Sequence, residues 1–110
     1  ARAFAPDLVL ISAGYDAHEE DPLAGCRVTD AGYGAMAAWL RAIAGEAEAP
    51  VAAVLEGGYA LGAVSRGVAE TMAALGSERA PAPPDVERHP VSAAALERLA
   101  AGRWGAALSA

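Results

Sequence analysis

The sequence has no lysine, one cysteine and only six aromatic residues among its 110 positions. All eight basic side chains are arginines, scattered along a chain of net charge −6. Nucleic acids are bound by clustered cations, so a nucleic-acid partner is not expected. No apolar run approaches the roughly 18 residues of a membrane-spanning helix, so a membrane partner is not expected either. The single Cys26 cannot form an internal disulfide, which favours a reducing compartment, and we expect a cytoplasmic location.

The first ten residues, ARAFAPDLVL, lack both an initiator methionine and the long apolar run of a signal peptide. We therefore expect the chain to begin inside a longer protein. Alanine is the most abundant residue, at 31 positions, and 55% of all residues are apolar. This composition predicts a globular protein whose core is built from small side chains.

Two strand–helix units follow one another in the pattern of apolar residues. The runs 7–12 and 51–55 are short and rich in branched residues, which predicts strands buried on both faces. Apolar residues then recur at helical spacing over 33–43 and over 61–75, and Thr29 is a predicted N-cap. The predicted helix ends are Gly45 and Gly76. Strands that alternate with helices predict an α/β fold with a parallel sheet.

The chain is predicted to divide at Gly76. Residues 1–76 contain both strand–helix units, whereas 77–110 contain four of the seven prolines, a short predicted helix over 91–101 and the apolar Trp104. Two strands with two helices cannot cover both faces of a parallel sheet. We therefore expect either a larger α/β domain around residues 1–76 or a sheet that is completed by a homo-oligomer.

The loops after the two strands contain the residues that are suited to chemistry. Ligands of open parallel sheets bind at the carboxyl ends of the strands, and both loops should meet at that edge. From spacing alone, Asp16 is either a solvated or capping aspartate or a metal ligand held near the strand end. His18 would complete an Asp-x-His chelate, although a lone loop histidine is more often structural. The acidic run 19–21 is interpreted as a solvated turn.

The second loop, EGGY at 56–59, places two glycines between a strand and a helix. It lacks the G-x-G-x-x-G order and the P-loop lysine, so it is weak evidence for a nucleotide-binding unit. Consecutive glycines allow the backbone to pass close to a ligand. Tyr59 would then present a phenol that donates to a developing oxyanion, and the alternative is a tyrosine packed at a helix start.

Three segments together resemble the histone deacetylase family, which includes bacterial deacetylase-like amidohydrolases and acetylpolyamine amidohydrolases. They are PDLVLISAGYDAH (6–18), DPLAG (21–25) and LEGGY (55–59), and the similarity covers about residues 4–76. The resemblance implies an arginase-like α/β fold with a central parallel sheet flanked by helices, of which this chain would be a fragment. It also implies a zinc-dependent amidohydrolase that removes acyl groups from acyl-lysine or other acylated amines.

The resemblance also implies roles for particular residues. Asp16 matches the family's aspartate zinc ligand, and Tyr59 matches the catalytic tyrosine that polarises the scissile carbonyl. Gly57 and Gly58 match the glycines that line the acyl-binding tunnel. Leu23 matches a position at the tunnel rim, where leucine favours an acyl-lysine type of substrate over a polyamine.

The family's remaining catalytic parts have no match in this chain. His18 does not match a zinc ligand, and the family's own Asp-x-His pair and paired histidines are absent. With one zinc ligand where three are needed, the isolated chain is predicted to bind zinc weakly and to hydrolyse no amide. Iron could replace zinc at such a site. The alternative function is a non-catalytic structural or interaction module derived from the same fold.

Overall fold

The structure is a computed structural model that describes residues 4–77, 82, 87, 89–103 and 105–108. Its elements in chain order are β1 (Val9–Ala13), α1 (Asp30–Glu46), β2 (Val51–Leu55), α2 (Leu61–Leu75), α3 (Pro90–Ala100) and α4 (Gly105–Leu108). Most of the predicted connector over 77–90, together with Trp104, lies outside the described residues. Among the helices of the described part of the chain, none is long and apolar enough to cross a membrane.

β1 and β2 form a two-stranded parallel sheet. Val9 lies opposite Val51, and the register continues to Ala13 opposite Leu55. A parallel pair needs a crossover connection, and α1 provides it between the two strands. The predicted α/β class with a parallel sheet is therefore confirmed.

The strands are less buried than their apolar composition predicts. β1 alternates between half-buried and exposed residues, and Leu10 is 61% exposed. β2 is exposed at every position after Val51. The described chain alone does not bury its strands on both faces, as expected for two strands with two helices, because its elements leave one sheet face open to solvent. A cavity of about 330 Å³ between β1 and α1, lined by Ile11, Met36 and Leu40 among others, shows that the other face is also incompletely covered.

The helix boundaries follow local signals closely. Thr29 caps α1, since its side chain accepts a hydrogen bond from the amide of Gly32 at 3.2 Å. α1 ends one residue beyond the predicted Gly45, whereas α2 ends at the predicted place and Gly76 forms its C-cap. α3 begins at Pro90, one residue before the predicted start, because proline is well suited to the first helical position.

The core between α1 and α2 is made of small residues, as the alanine-rich composition predicts. The buried helical residues are Tyr33, Ala37, Ala38, Ala44, Ala63, Gly67 and Thr71. Tyr15, in the loop after β1, is 4% exposed and donates a hydrogen bond to the Thr71 hydroxyl at 3.0 Å. A Cβ on Gly67 would lie only 2.7 Å from Cδ1 of Tyr15. The Tyr15 ring thus joins the loop to α2, and it requires glycine at that point of the helix.

Gly67→Ala should therefore lower the free energy of unfolding by about 1–3 kcal/mol, because the new methyl group overpacks against Tyr15. Gly62→Ala is the matched control in the same helix, where the Cβ would meet only the flexible end of Arg66 at 3.4 Å. That substitution should raise stability by up to about 1 kcal/mol through helix propensity. Urea unfolding of both variants measures the difference, and equal effects of the two substitutions would contradict this account of the packing.

Candidate functional site

The site lies where the two loops leave the carboxyl ends of β1 and β2. The ladder continues beyond the strands, since Glu56 N donates to Ala13 O at 3.0 Å and Tyr15 N donates to Gly57 O at 2.7 Å. These bonds hold the start of the second loop against the start of the first. The expectation that both loops meet at one edge of the sheet is confirmed.

Asp16 occupies a notch between two glycines. A Cβ on Gly57 would lie 2.8 Å from the Asp16 carboxyl carbon, and a Cβ on Gly14 would lie 2.9 Å from its Oδ1. Both distances are shorter than atoms tolerate, so a side chain at either position would force the Asp16 carboxylate to move. The half-buried Asp16 carboxylate therefore lies against the backbone of both glycines, in space that a side chain at either position would enter. Gly57 makes room for a carboxylate of the same chain.

Gly58 is required for a different reason. Its φ of +141° lies in a region that side-chain-bearing residues rarely adopt, and a Cβ would lie 2.6 Å from Val64. The turn at Gly58 leads into Tyr59, which is 59% exposed. Tyr59 is thus presented at the surface, and the alternative of a tyrosine packed at the helix start does not describe its environment.

Asp21 joins the two loops, which the sequence did not indicate. The prediction of a solvated acidic turn is wrong at this position, because Asp21 is 8% exposed. Its Oδ1 accepts from Leu23 N at 2.9 Å, which is the local turn expected of Asp-Pro. Its Oδ2 accepts from Tyr59 N at 2.8 Å, 38 residues away in sequence. One carboxylate therefore joins the backbones of Leu23 and Tyr59.

The charge of Asp21 is stabilised by the backbone. Burial alone would raise the pKa of the Asp21 carboxyl, but donation from the amides of Leu23, Tyr59, Ala24 and Ala60 outweighs it and lowers that pKa below its ordinary value of 3.8. Two of these amides belong to each loop. The carboxylate is therefore ionised at neutral pH, as two simultaneous acceptor bonds require.

His18 is buried and has a structural place. Its Nδ1 accepts from Glu20 N at 3.0 Å, which leaves the proton on Nε2, where it is donated to Asp30 Oδ1 at 3.0 Å. The ring is 1% exposed and stacks near Tyr33, with ring centroids 6.2 Å apart. Because both ring nitrogens are engaged, the structure does not offer His18 as a partner of Asp16 in an Asp-x-His chelate.

Arg66 of α2 completes this network at the surface. Its Nε donates to Asp30 Oδ2 at 2.8 Å, and its terminal nitrogen donates to Glu20 Oε1 at 2.6 Å. The Arg66 side chain is 46% exposed, so each pair contributes little alone. The hydrogen bond from Arg66 is the main reason that the pKa of Asp30 is lowered, with a smaller contribution from His18. The network ties the first loop to the starts of α1 and α2.

The described residues supply one predicted metal ligand and no complete metal site. No group of three or more His, Cys, Asp or Glu side chains that could hold a metal is present in the part of the chain that the structure describes. Asp16 is accordingly a single candidate ligand. Leu23, in the same loop as Asp16, is 70% exposed.

Comparison with known proteins agrees with this geometry. The model of the histone deacetylase domain matches residues 1–75, which include both strands, both loops and all of α2. The chain belongs to the histone deacetylase family. The segments that carry Asp16 and Tyr59 both lie within the matched range. The fold class expected from the resemblance is therefore confirmed together with the family.

Two curated histone deacetylases and one solved structure illustrate the similarity. Histone deacetylase 10, chloroplastic, of Oryza sativa subsp. japonica is 45% identical over 76 residues, which are 68% of this chain and 17% of that protein. Histone deacetylase HDA1 of Saccharomyces cerevisiae is 40% identical over 91 residues, which are 83% of this chain and 12% of that protein. The crystal structure of the HDA15 HD domain matches with a TM-score of 0.61 and 37% identity, over 76% of this chain and 23% of that one.

The Asp30 network should make the stability of this histone deacetylase chain sensitive to acid. A lowered folded pKa means that the stabilisation is complete above the unfolded value near 3.8 and is lost as the pH falls through the folded value. Urea unfolding at pH 6 and pH 3 should therefore show a smaller loss for Asp30→Asn than for the wild type. Glu19→Gln, which removes an exposed carboxylate of the first loop, should keep the wild-type difference. An unchanged loss in Asp30→Asn would refute the assignment.

Proposed function

We propose that this chain forms the part of a zinc-dependent deacetylase that carries one metal ligand, Asp16, and the catalytic tyrosine, Tyr59. One arrangement supports the proposal above all. Gly57 leaves space for the Asp16 carboxylate, and Tyr59 follows two residues later with an exposed side chain at the same sheet edge. The chain spans less than a fifth of the two curated relatives described above, so the complete reaction would need residues beyond it. The protein that contains those residues is called the complete deacetylase below.

Asp16 fits the role of a metal ligand because its carboxylate is held in a notch that a Cβ would fill. Carboxylate oxygen is an established zinc ligand, and catalytic zinc sites usually have three ligands from protein. Asp16 would supply one of them, and the same carboxylate would also bind iron. When bound, the metal would supply Lewis-acid polarisation of the amide carbonyl and activation of water. With one ligand only, the isolated chain should bind zinc weakly and hydrolyse no amide.

Tyr59 would act as a hydrogen-bond donor. Its phenol O–H, presented by the turn at Gly58, would donate to the carbonyl oxygen of the scissile amide as negative charge develops there. A donor that is already in position needs no reorganisation at the moment of reaction. The Gly57–Gly58 backbone would line the tunnel that holds the acyl group.

The substrate would be an acyl-lysine or another acylated amine. The exposed Leu23 at the rim offers an apolar surface for the alkyl chain of such a substrate and no charge for a polyamine. The lack of lysine and the scattered arginines argue against nucleic acid as a partner. The single exposed Cys26 supports a reducing compartment such as the cytoplasm.

The second candidate is a non-catalytic structural or interaction module derived from the same fold. One observation favours it, namely that only one predicted ligand occurs among the residues that the structure describes. The two functions differ in whether a complete deacetylase exists that binds metal through Asp16. Zinc content therefore separates them.

Asp16→Ala in the complete deacetylase should lower the zinc content well below one ion per chain, because a ligand is lost. Gly57→Ala should do the same, since its methyl group would displace the Asp16 carboxylate. Gly62→Ala provides the control at an exposed helical position and should keep its zinc. Metal analysis of the purified variants measures this, and unchanged zinc in Asp16→Ala would refute the ligand assignment.

Tyr59→Phe in the complete deacetylase should lower kcat by roughly 10²–10³-fold, as loss of one oxyanion donor typically does. KM should change far less, because the hydrogen bond strengthens only in the transition state. Steady-state kinetics with an acetyl-lysine peptide measures both values. A change confined to KM would argue against the catalytic role.

A further inference from the structure

We infer that Asp21 is a positioning residue that sets the place of Tyr59 in the site and couples it to Leu23 at the rim. The inference rests on the proposed function, since it assigns to Asp21 a role that acts through the catalytic tyrosine. It adds a residue to the site that neither loop motif assigns. Its basis is the geometry of one buried carboxylate that accepts hydrogen bonds from both loops.

The two carboxylate oxygens of Asp21 are used separately. Oδ2 accepts a hydrogen bond from the amide of Tyr59 at 2.8 Å, and Oδ1 accepts one from the amide of Leu23 at 2.9 Å. Bonds in which the acceptor is ionised are short and roughly twice as strong as neutral ones, and they are directional. The hydrogen bond therefore holds the backbone of Tyr59 directly, immediately after the turn at Gly58. It fixes the position of the Tyr59 Cα, to which the phenol side chain is attached.

The need for such a bond follows from the surroundings of Tyr59. Tyr59 is 59% exposed and so gains little fixation from packing. The residue that follows, Ala60, is the N-cap of α2 but has no side-chain acceptor to hold the chain. Donation from the amides of Tyr59 and Ala60 helps to keep the pKa of Asp21 low. Asp21 thus supplies, from the other loop, the acceptor that this helix start lacks.

The first loop does not depend on Asp21 alone for its fold. Val28 O accepts from Glu19 N at 2.9 Å, and Val28 N donates to Ala17 O at 3.0 Å. The His18 and Arg66 network ties the same loop to both helices. Loss of the Asp21 carboxylate therefore removes the tie to Tyr59 while other bonds still hold the loop. This separation makes the role of Asp21 testable.

The experiment is a double-mutant cycle in the complete deacetylase, with Asp21→Asn and Asp21→Ala each made alone and with Tyr59→Phe. Asparagine keeps the volume but offers one acceptor oxygen, and alanine offers none. Glu19→Gln is the control carboxylate and should leave kcat unchanged. Hydrogen exchange of the Tyr59 amide, followed by mass spectrometry or NMR, reports whether the bond to residue 21 is lost. A cooperative thermal transition shows which variants are folded.

The expected result is that folded Asp21 variants lose protection at the Tyr59 amide and lose roughly tenfold to hundredfold in kcat, as misplaced catalytic groups do. In the Tyr59→Phe background the same changes should alter kcat by less than about twofold, because the group they position is gone. A purely structural role would instead lower kcat by the same factor in both backgrounds, and that would overturn the inference. So would full protection of the Tyr59 amide in every folded Asp21 variant.

Failure of the proposed function gives a different result. If Tyr59→Phe alone leaves kcat unchanged, Tyr59 is not the catalytic donor and the assignment of the tyrosine fails. The exchange measurement still decides whether Asp21 holds the Tyr59 amide. The two failures are therefore distinguishable in the same set of variants.

Discussion

The close approach of two backbones beyond the ends of β1 and β2 determines the rest of the site. Tyr15 N donates a hydrogen bond to Gly57 O at 2.7 Å. This contact brings the next residue, Asp16, against Gly57. Glycine at position 57 leaves the Asp16 carboxylate in this place, whereas a Cβ there would displace it. Parallel pairing gives both loops the same direction, so Asp16 and Tyr59 emerge at one edge although 43 residues separate them in sequence.

Two kinds of tie then fix the loops around that contact. The inner tie is the buried Asp21 carboxylate, which accepts hydrogen bonds from backbone amides of both loops. The outer tie runs from buried His18 through Asp30 to Arg66 at the surface, where it is partly screened by solvent. The buried bonds fix geometry near the site, and the exposed pairs orient α2 relative to the loop. The site is therefore held by hydrogen bonds over an alanine-rich core that offers few large contacts.

Local signals in the sequence were sufficient for the elements and for the sheet edge at which Asp16 and Tyr59 lie. Thr29 and Gly76 mark helix ends through short-range hydrogen bonds, and the two motifs place Asp16 and Tyr59 at strand ends. Asp21 could not be recognised in the same way, because the bond that defines it spans 38 residues and its neighbours make the run look like a solvated turn. The number of elements did predict that the sheet is incompletely covered, but not which strand residues are exposed. Composition and periodicity therefore do not indicate which residues pair across long distances in the sequence.

The forked contact of Arg66 with Glu20 and Asp30 depends on a planar guanidinium, which presents two donors at a fixed angle. It also has a chemical consequence. Acylation by amide formation takes place on amines, and the sequence contains no lysine at this bridge or anywhere else. If the chain acts in removing acyl groups from lysine, no lysine of its own can acquire the modification. Acylation of lysine side chains therefore leaves the bridge from Arg66 to Glu20 and Asp30 unchanged.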